Sequence, residues 1–254
     1  MDYFKDYLNS FKLKSMFLYT LVVDALTWLL IGVMFYWVGN NVRSRLQLLT
    51  GGMAADVFQQ YFLSLSPEQI PIFSAQLKTA MIQLAGFIFV LPIVALLLYS
   101  LSRAILWNML LNREFHFKQH WKWNLLNIVL LFIAAVLFIA FVFLQLLAAR
   151  VPVLSSLLGF LLVVGFVALM FVAYRHFAHT RKVFESIGMA FKAFKRKDFY
   201  VVLLFGAVTL FLMRFVQYPF REQLFIYPNA GLYVSLLIFL LWLSWFRMYV
   251  VARV

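Results

Sequence analysis

Four histidines stand in two short pairs: His116 and His120 in "HFKQH", four residues apart, and His176 and His179 in "HFAH", three apart. On a helix either spacing turns both imidazoles to one side, and Glu114 and Glu185 are near in sequence. Such a donor set could ligate zinc or iron. A second constellation is ionic. Asp24, Arg103 and Arg247 interrupt stretches that are otherwise almost wholly apolar. Asp24 could carry a proton or ion with the two arginines lining its path, or it could be a structural partner that lowers the cost of burying them. The hydrolase, metalloprotease and nucleotide-binding signatures G-x-S-x-G, H-E-x-x-H and G-x-x-x-x-G-K-[ST] are absent. No cysteine occurs among the 254 residues, which excludes disulfides and thiolate metal sites.

The elements that must position these groups follow from composition. Hydrophobic residues make up 65% and charged residues 12% of the chain, against roughly 45–50% and about 25% in soluble domains. Water could not be kept from so much apolar surface, but lipid can be its solvent. Six runs approach the ~20 apolar residues of a membrane-spanning helix: 16–39, 77–107, 123–149, 153–174, 200–216 and 231–251. No alternating pattern suits a barrel strand, so the expected fold is all-α. It is a polytopic bundle of six transmembrane helices in a single domain over 1–254, with short amphipathic helices at the interfaces. The first run, about 23 residues, is long for a signal-peptide core and is expected to be a retained span. Pro92 predicts a kink or tilt in the second, and Pro152 suits the first turn of the fourth.

Net charge is +13. With the N-terminus inside, 16 of the 22 Lys and Arg fall in cytoplasmic segments. Both termini are therefore expected in the cytoplasm, and the chain in a plasma or bacterial inner membrane. The charge then serves orientation and anionic headgroups rather than nucleic acid, for which no recognition module is present.

Within this frame the chemistry narrows. Membrane di-metal oxygenases use more histidines than these four, and the aromatic neighbours suit imidazoles at a headgroup interface, so no metal and no other cofactor is expected. Only one carboxylate lies clearly inside a span, so a proton relay lacks a second station. Asp24 is expected to pair with Arg103 or Arg247. Gly159 and Gly165 are expected to allow close helix approach. The seven tryptophans, mostly near span ends, read as interfacial belts.

The cytoplasmic stretch "RKVFESIGMAFKAFKRKDF" at 181–199 is amphipathic. Val183, Ile187, Phe191 and Phe194 share one helical stripe, away from which largely lie Lys182, Lys192, Lys195 and Arg196; these four and Lys197 are the candidate headgroup contacts. Either the stripe enters acyl chains with the cations among headgroups, or the helix packs on the cytoplasmic end of the bundle; both can hold. On the other side, a break at Gly51-Gly52 precedes a second amphipathic helix carrying Met53, Val57, Tyr61 and Leu65. Ser66-Pro67 reads as an N-cap followed by a first-position proline.

"FESIGMAFKAFKRKDFYVVLL", with Ser186, Ala190 and Phe191 at a small-and-apolar spacing, "SLSPEQ" in the outer loop and the terminal "FRMYVVARV" resemble YciC-type six-span inner-membrane proteins. They also resemble the membrane domain joined to some glycerophosphodiester phosphodiesterases. The resemblance implies the six-span architecture and brings no catalytic residues. The expected function is accordingly non-enzymatic: a scaffold, regulator or assembly partner that contacts anionic lipid, with a membrane-protein partner or second copy. The alternative is a lipid or small-solute transporter or channel using Asp24, Arg103 and Arg247.

Overall fold

The computed structural model describes residues 15–51, 53, 55–114, 117–147, 152–215 and 228–253. These residues form an all-α bundle of eight helices: α1 Ser15–Thr50, α2 Ala55–Leu63, α3 Gln69–Leu110, α4 His120–Leu147, α5 Pro152–Thr180, α6 Val183–Ala193, α7 Lys197–Phe215 and α8 Pro228–Arg253. Five contain segments long and apolar enough to cross a membrane: Ser15–Arg45, Gln69–Leu110, His120–Leu146, Leu157–Thr180 and Tyr233–Val251. α7 is not among the five. It has 19 residues, with Lys197 and Asp198 at one end and Arg214 near the other.

The chain divides into two compact units. The smaller, Leu26–Tyr99, holds most of α1, all of α2 and about the first three quarters of α3. Residues 40–50, expected as loop, are helical, and the short helix expected after Ser66 is continuous with the second span. α1 has 36 residues and α3 has 42, so at ~1.5 Å per residue both outrun a ~30 Å hydrocarbon core. α1 stops at Gly51, which adopts φ +57°, a left-handed turn natural to glycine. Ser66 opens α3. Its carbonyl accepts from the Gln69 and Ile70 amides, and its own amide donates to Gln69 Oε1 at 3.1 Å, one half of a capping box. Pro71 then falls in the first turn, where a missing N–H costs nothing. α3 also runs unbroken through Pro92. Side chains such as Leu29, Val33, Ile82 and Phe89 are exposed, a surface suited to lipid.

The larger unit joins residues up to Ala25 with 100–254. Its core is aromatic: Trp107, Trp123, Phe171, Tyr174, Phe177, Trp242, Phe246 and Tyr249 are all at most 1% exposed. Trp123 meets Phe177 edge to face at 4.8 Å, and Trp242 stacks on Phe246 at 5.1 Å. Four of the seven tryptophans, Trp107, Trp123, Trp242 and Trp245, are thus core residues and not belt residues; Trp28, Trp37 and Trp121 are exposed. α7 and α8 approach closely at Gly206. A Cβ there would stand 2.6 Å from the Phe246 ring, and the Gly206 carbonyl accepts from Trp242 Nε1 at 3.0 Å.

Candidate functional site

Asp24 lies ten residues into α1 and is completely buried, as are Arg103 on α3 and Arg247 on α8. The structure brings all three together. Arg103 Nη2 donates to Asp24 Oδ1, and Arg247 Nη2 donates to Oδ2 at 2.7 Å. Ser244, one turn before Arg247, adds a long 3.4 Å contact to Oδ2, while Ser102 Oγ accepts from Arg103 Nε at 3.3 Å. The Arg247 guanidinium also sits 5.3 Å from the centre of the Phe171 ring. Both carboxylate oxygens are therefore engaged by buried cations. Chemically this is a clamp joining α1, α3 and α8, held by charge-assisted hydrogen bonds on each oxygen.

A second buried polar group was not singled out from sequence. Tyr174 Oη donates to Asn127 Oδ1. The Asn127 amide donates in turn to Ser100 Oγ at 2.6 Å and to the Trp123 carbonyl at 2.8 Å. This chain ties α3, α4 and α5 together. Its signal was present, since Asn and Ser inside apolar runs commonly bond between helices, but no spacing rule says which ones will meet.

Among the described residues the histidines are not gathered into a metal-binding group. His116 lies outside the described residues. His120 stacks on Phe117 at 5.8 Å, and His179 Nδ1 accepts from Arg113 Nη2 at 3.1 Å. Among the described residues no three His, Asp or Glu side chains are grouped to hold a metal ion. His179 instead borders a polar cleft of about 390 Å³ with Asn112, Arg113, Glu114, Gln119 and Arg181. Asn112 and Arg181 both have positive φ, +50° and +58°. Each follows a helix end, and the Arg181 amide closes α5 by donating to the Phe177 carbonyl at 2.8 Å. The Arg181 side chain crosses to Asn108 Oδ1 at 2.7 Å. Burial first, and the Arg113 cation second, lower the Arg181 pKa, although a guanidinium stays charged. Two helix C-termini supply partial negative charge there, so these cations act first as caps for α3 and α5.

α6 resolves which way its stripe points. Val183, Ser186, Ile187, Ala190 and Ala193 are buried against the bundle, and the Ser186 hydroxyl lies 3.2 Å from that of Thr180 on α5. The expected acyl-chain stripe is thus largely a packing face, made close by small residues. Exposed instead are Phe184 and Phe191, together with Lys182, Lys192, Lys195, Arg196 and Lys197. Lys182 pairs with Glu185 at 3.0 Å. Lys192, Lys195, Arg196 and Lys197 outnumber the one carboxylate that adjoins them, Asp198, so these four exposed cations form a local basic corner on the segment that also exposes Phe184 and Phe191. The glycines also separate. A Cβ on Gly159 would stand 2.8 Å from the Phe141 ring, whereas none on Gly165 would meet a heavy atom within 4 Å. Gly159 is a close-approach residue; Gly165 opens onto a groove.

Fold and site together define a helical-bundle protein with membrane-type helices and a buried ionic clamp. Compared with known proteins, the chain matches no family model, no curated protein and no solved structure.

Proposed function

We propose that the chain is a non-enzymatic integral membrane protein, a scaffold, regulator or assembly partner that holds anionic lipid at its basic corner. In this reading α7 is a crossing in addition to the five long apolar helices, both termini are cytoplasmic, and α6 lies at headgroup level. The charge bias of the connecting segments supports that orientation. The observation that carries the function is the exposure of Lys192, Lys195, Arg196 and Lys197, four cations within six residues against one neighbouring carboxylate, Asp198, together with the exposed rings of Phe184 and Phe191. Each such cation near an anionic leaflet contributes about 1 kcal/mol of attraction, and exposed aromatic rings suit the interface. The resemblance to YciC-type proteins, which bring no catalytic residues, points the same way. The engagement of both Asp24 oxygens favours a clamp over a transport path.

The test compares lipid extracted from the purified full-length protein with lipid of the membrane it came from. Wild type is expected to be enriched in anionic lipid. Changing Lys192, Lys195, Arg196 and Lys197 together to Gln should abolish that enrichment without lowering the unfolding temperature. Equal enrichment in the variant would reject the basic corner as the lipid contact.

A further inference from the structure

An apolar groove of about 640 Å³ opens between α4, α5 and the start of α7. Its walls include Ile133 and Leu137 of α4 and Leu162 and Gly165 of α5, and Phe191 and Phe194 stand at one end. Every lining side chain is apolar, so water has no partners in it. Gly165 gives the groove its depth, since space rather than a neighbouring helix faces the missing Cβ. Along α5 the lining runs from Leu158 to Leu169, about 16 Å at ~1.5 Å per residue. That is close to the depth of one leaflet, half of a ~30 Å hydrocarbon core. A partner's transmembrane helix would need a track along the whole core. Phe191 and Phe194, which line the groove, are each followed in sequence by an exposed lysine, Lys192 and Lys195.

We infer that this groove holds one acyl chain of a single anionic phospholipid, whose phosphate is bound by Lys192 and Lys195 at the groove's end. Apolar walls one leaflet deep, adjoining a segment with net positive charge, are complementary to that molecule: chain against Leu162 and Gly165, anion against lysine. The site rests on the reading of α6 as lying at headgroup level. It goes beyond that reading, because it requires one retained lipid in one place and not a general anionic shell.

The experiment uses full-length protein in mild detergent, phosphatidylglycerol as the probe and native mass spectrometry as the readout. Wild type should keep one phosphatidylglycerol per chain in preference to phosphatidylcholine. Gly165→Leu, which fills open space, should weaken that retention about tenfold, with the unfolding temperature unchanged. Should Gly165→Leu fold poorly, the unmodified protein still decides the matter. Phosphatidylglycerol with a photoreactive group on its acyl chain should crosslink at Leu162 and its groove neighbours, and not at exposed Leu131 or Phe138 on α4.

Crosslinks spread evenly over those exposed positions, or to a second copy of the chain, would overturn the inference. So would undiminished retention by a folded Gly165→Leu protein, or retention of oleate in place of the phospholipid. If Gly165→Leu retains lipid normally while the four-Gln variant loses anionic enrichment, the groove fails and the surface reading stands. A retained chain without preference for phosphatidylglycerol rejects the lysine assignment, and with it the basic corner.

Discussion

Asp24→Asn keeps the size and nearly the shape of the side chain while removing the carboxylate charge that Arg103 and Arg247 share. Two guanidiniums, each at most 1% exposed, then face each other across a neutral amide. Removing one partner of a buried ion pair costs about 3–5 kcal/mol, because the remaining charge stays desolvated and uncompensated. At about 2–4 °C per kcal/mol for a chain of this size, the unfolding temperature should fall by about 6–20 °C. Arg247→Met works differently. It loses a charge-assisted hydrogen bond of about 1.5–3 kcal/mol, but it leaves the Asp24 carboxylate paired with the Arg103 guanidinium. The thioether can also rest on the Phe171 ring. Its loss should be less than that of Asp24→Asn. Combining the two changes should recover part of the Asp24→Asn defect, since one guanidinium has then lost the Asp24 carboxylate where two had. The assay is the fraction of full-length protein still monodisperse on size exclusion after heating in detergent. The clamp is refuted if Asp24→Asn melts with wild type, or if Arg247→Met is the more damaging change. A stable Asp24→Asn protein would return Asp24 to the role of a transport residue.

Gly206→Ala should cost about 1–3 kcal/mol by forcing the buried Phe246 ring aside, whereas Gly165→Ala should melt at or above wild type because its Cβ enters open space and alanine favours the helix; heating the two variants side by side checks the contrast. Tyr174→Phe should cost about 1–3 kcal/mol by leaving Asn127 Oδ1 buried without its donor. Adding Asn127→Leu should then cost less than the sum of the single changes, which a double-mutant cycle on unfolding temperature measures.

Much of the architecture was legible because it rests on one-dimensional quantities. Apolar run length identified all five long helices, and Ser66-Pro67 located the start of α3 by its cap chemistry. The outer segment was less readable. Polar residues at 40–50 suggested loop, yet nothing there stops a helix until Gly51 supplies a positive φ. At the ionic cluster, sequence isolated Asp24, Arg103 and Arg247 because charge in an apolar run is conspicuous. It left open whether Asp24 takes one arginine or both, since residues 79 and 223 positions away meet only when α1, α3 and α8 pack.

What sequence alone determined, then, is the all-α class, the existence of its five long apolar helices and the residues sharing each stripe. What only tertiary structure decided is the direction each stripe faces. Val183 and Ile187 turned inward, four tryptophans expected at an interface became core, and Gly165, paired in expectation with Gly159, opened onto a groove. The physical reason is that lipid tails are as apolar as leucine. In water, hydrophobicity marks the inside; in a bilayer it marks the lipid-facing surface equally, so periodicity defines a face without saying whether protein or acyl chain covers it.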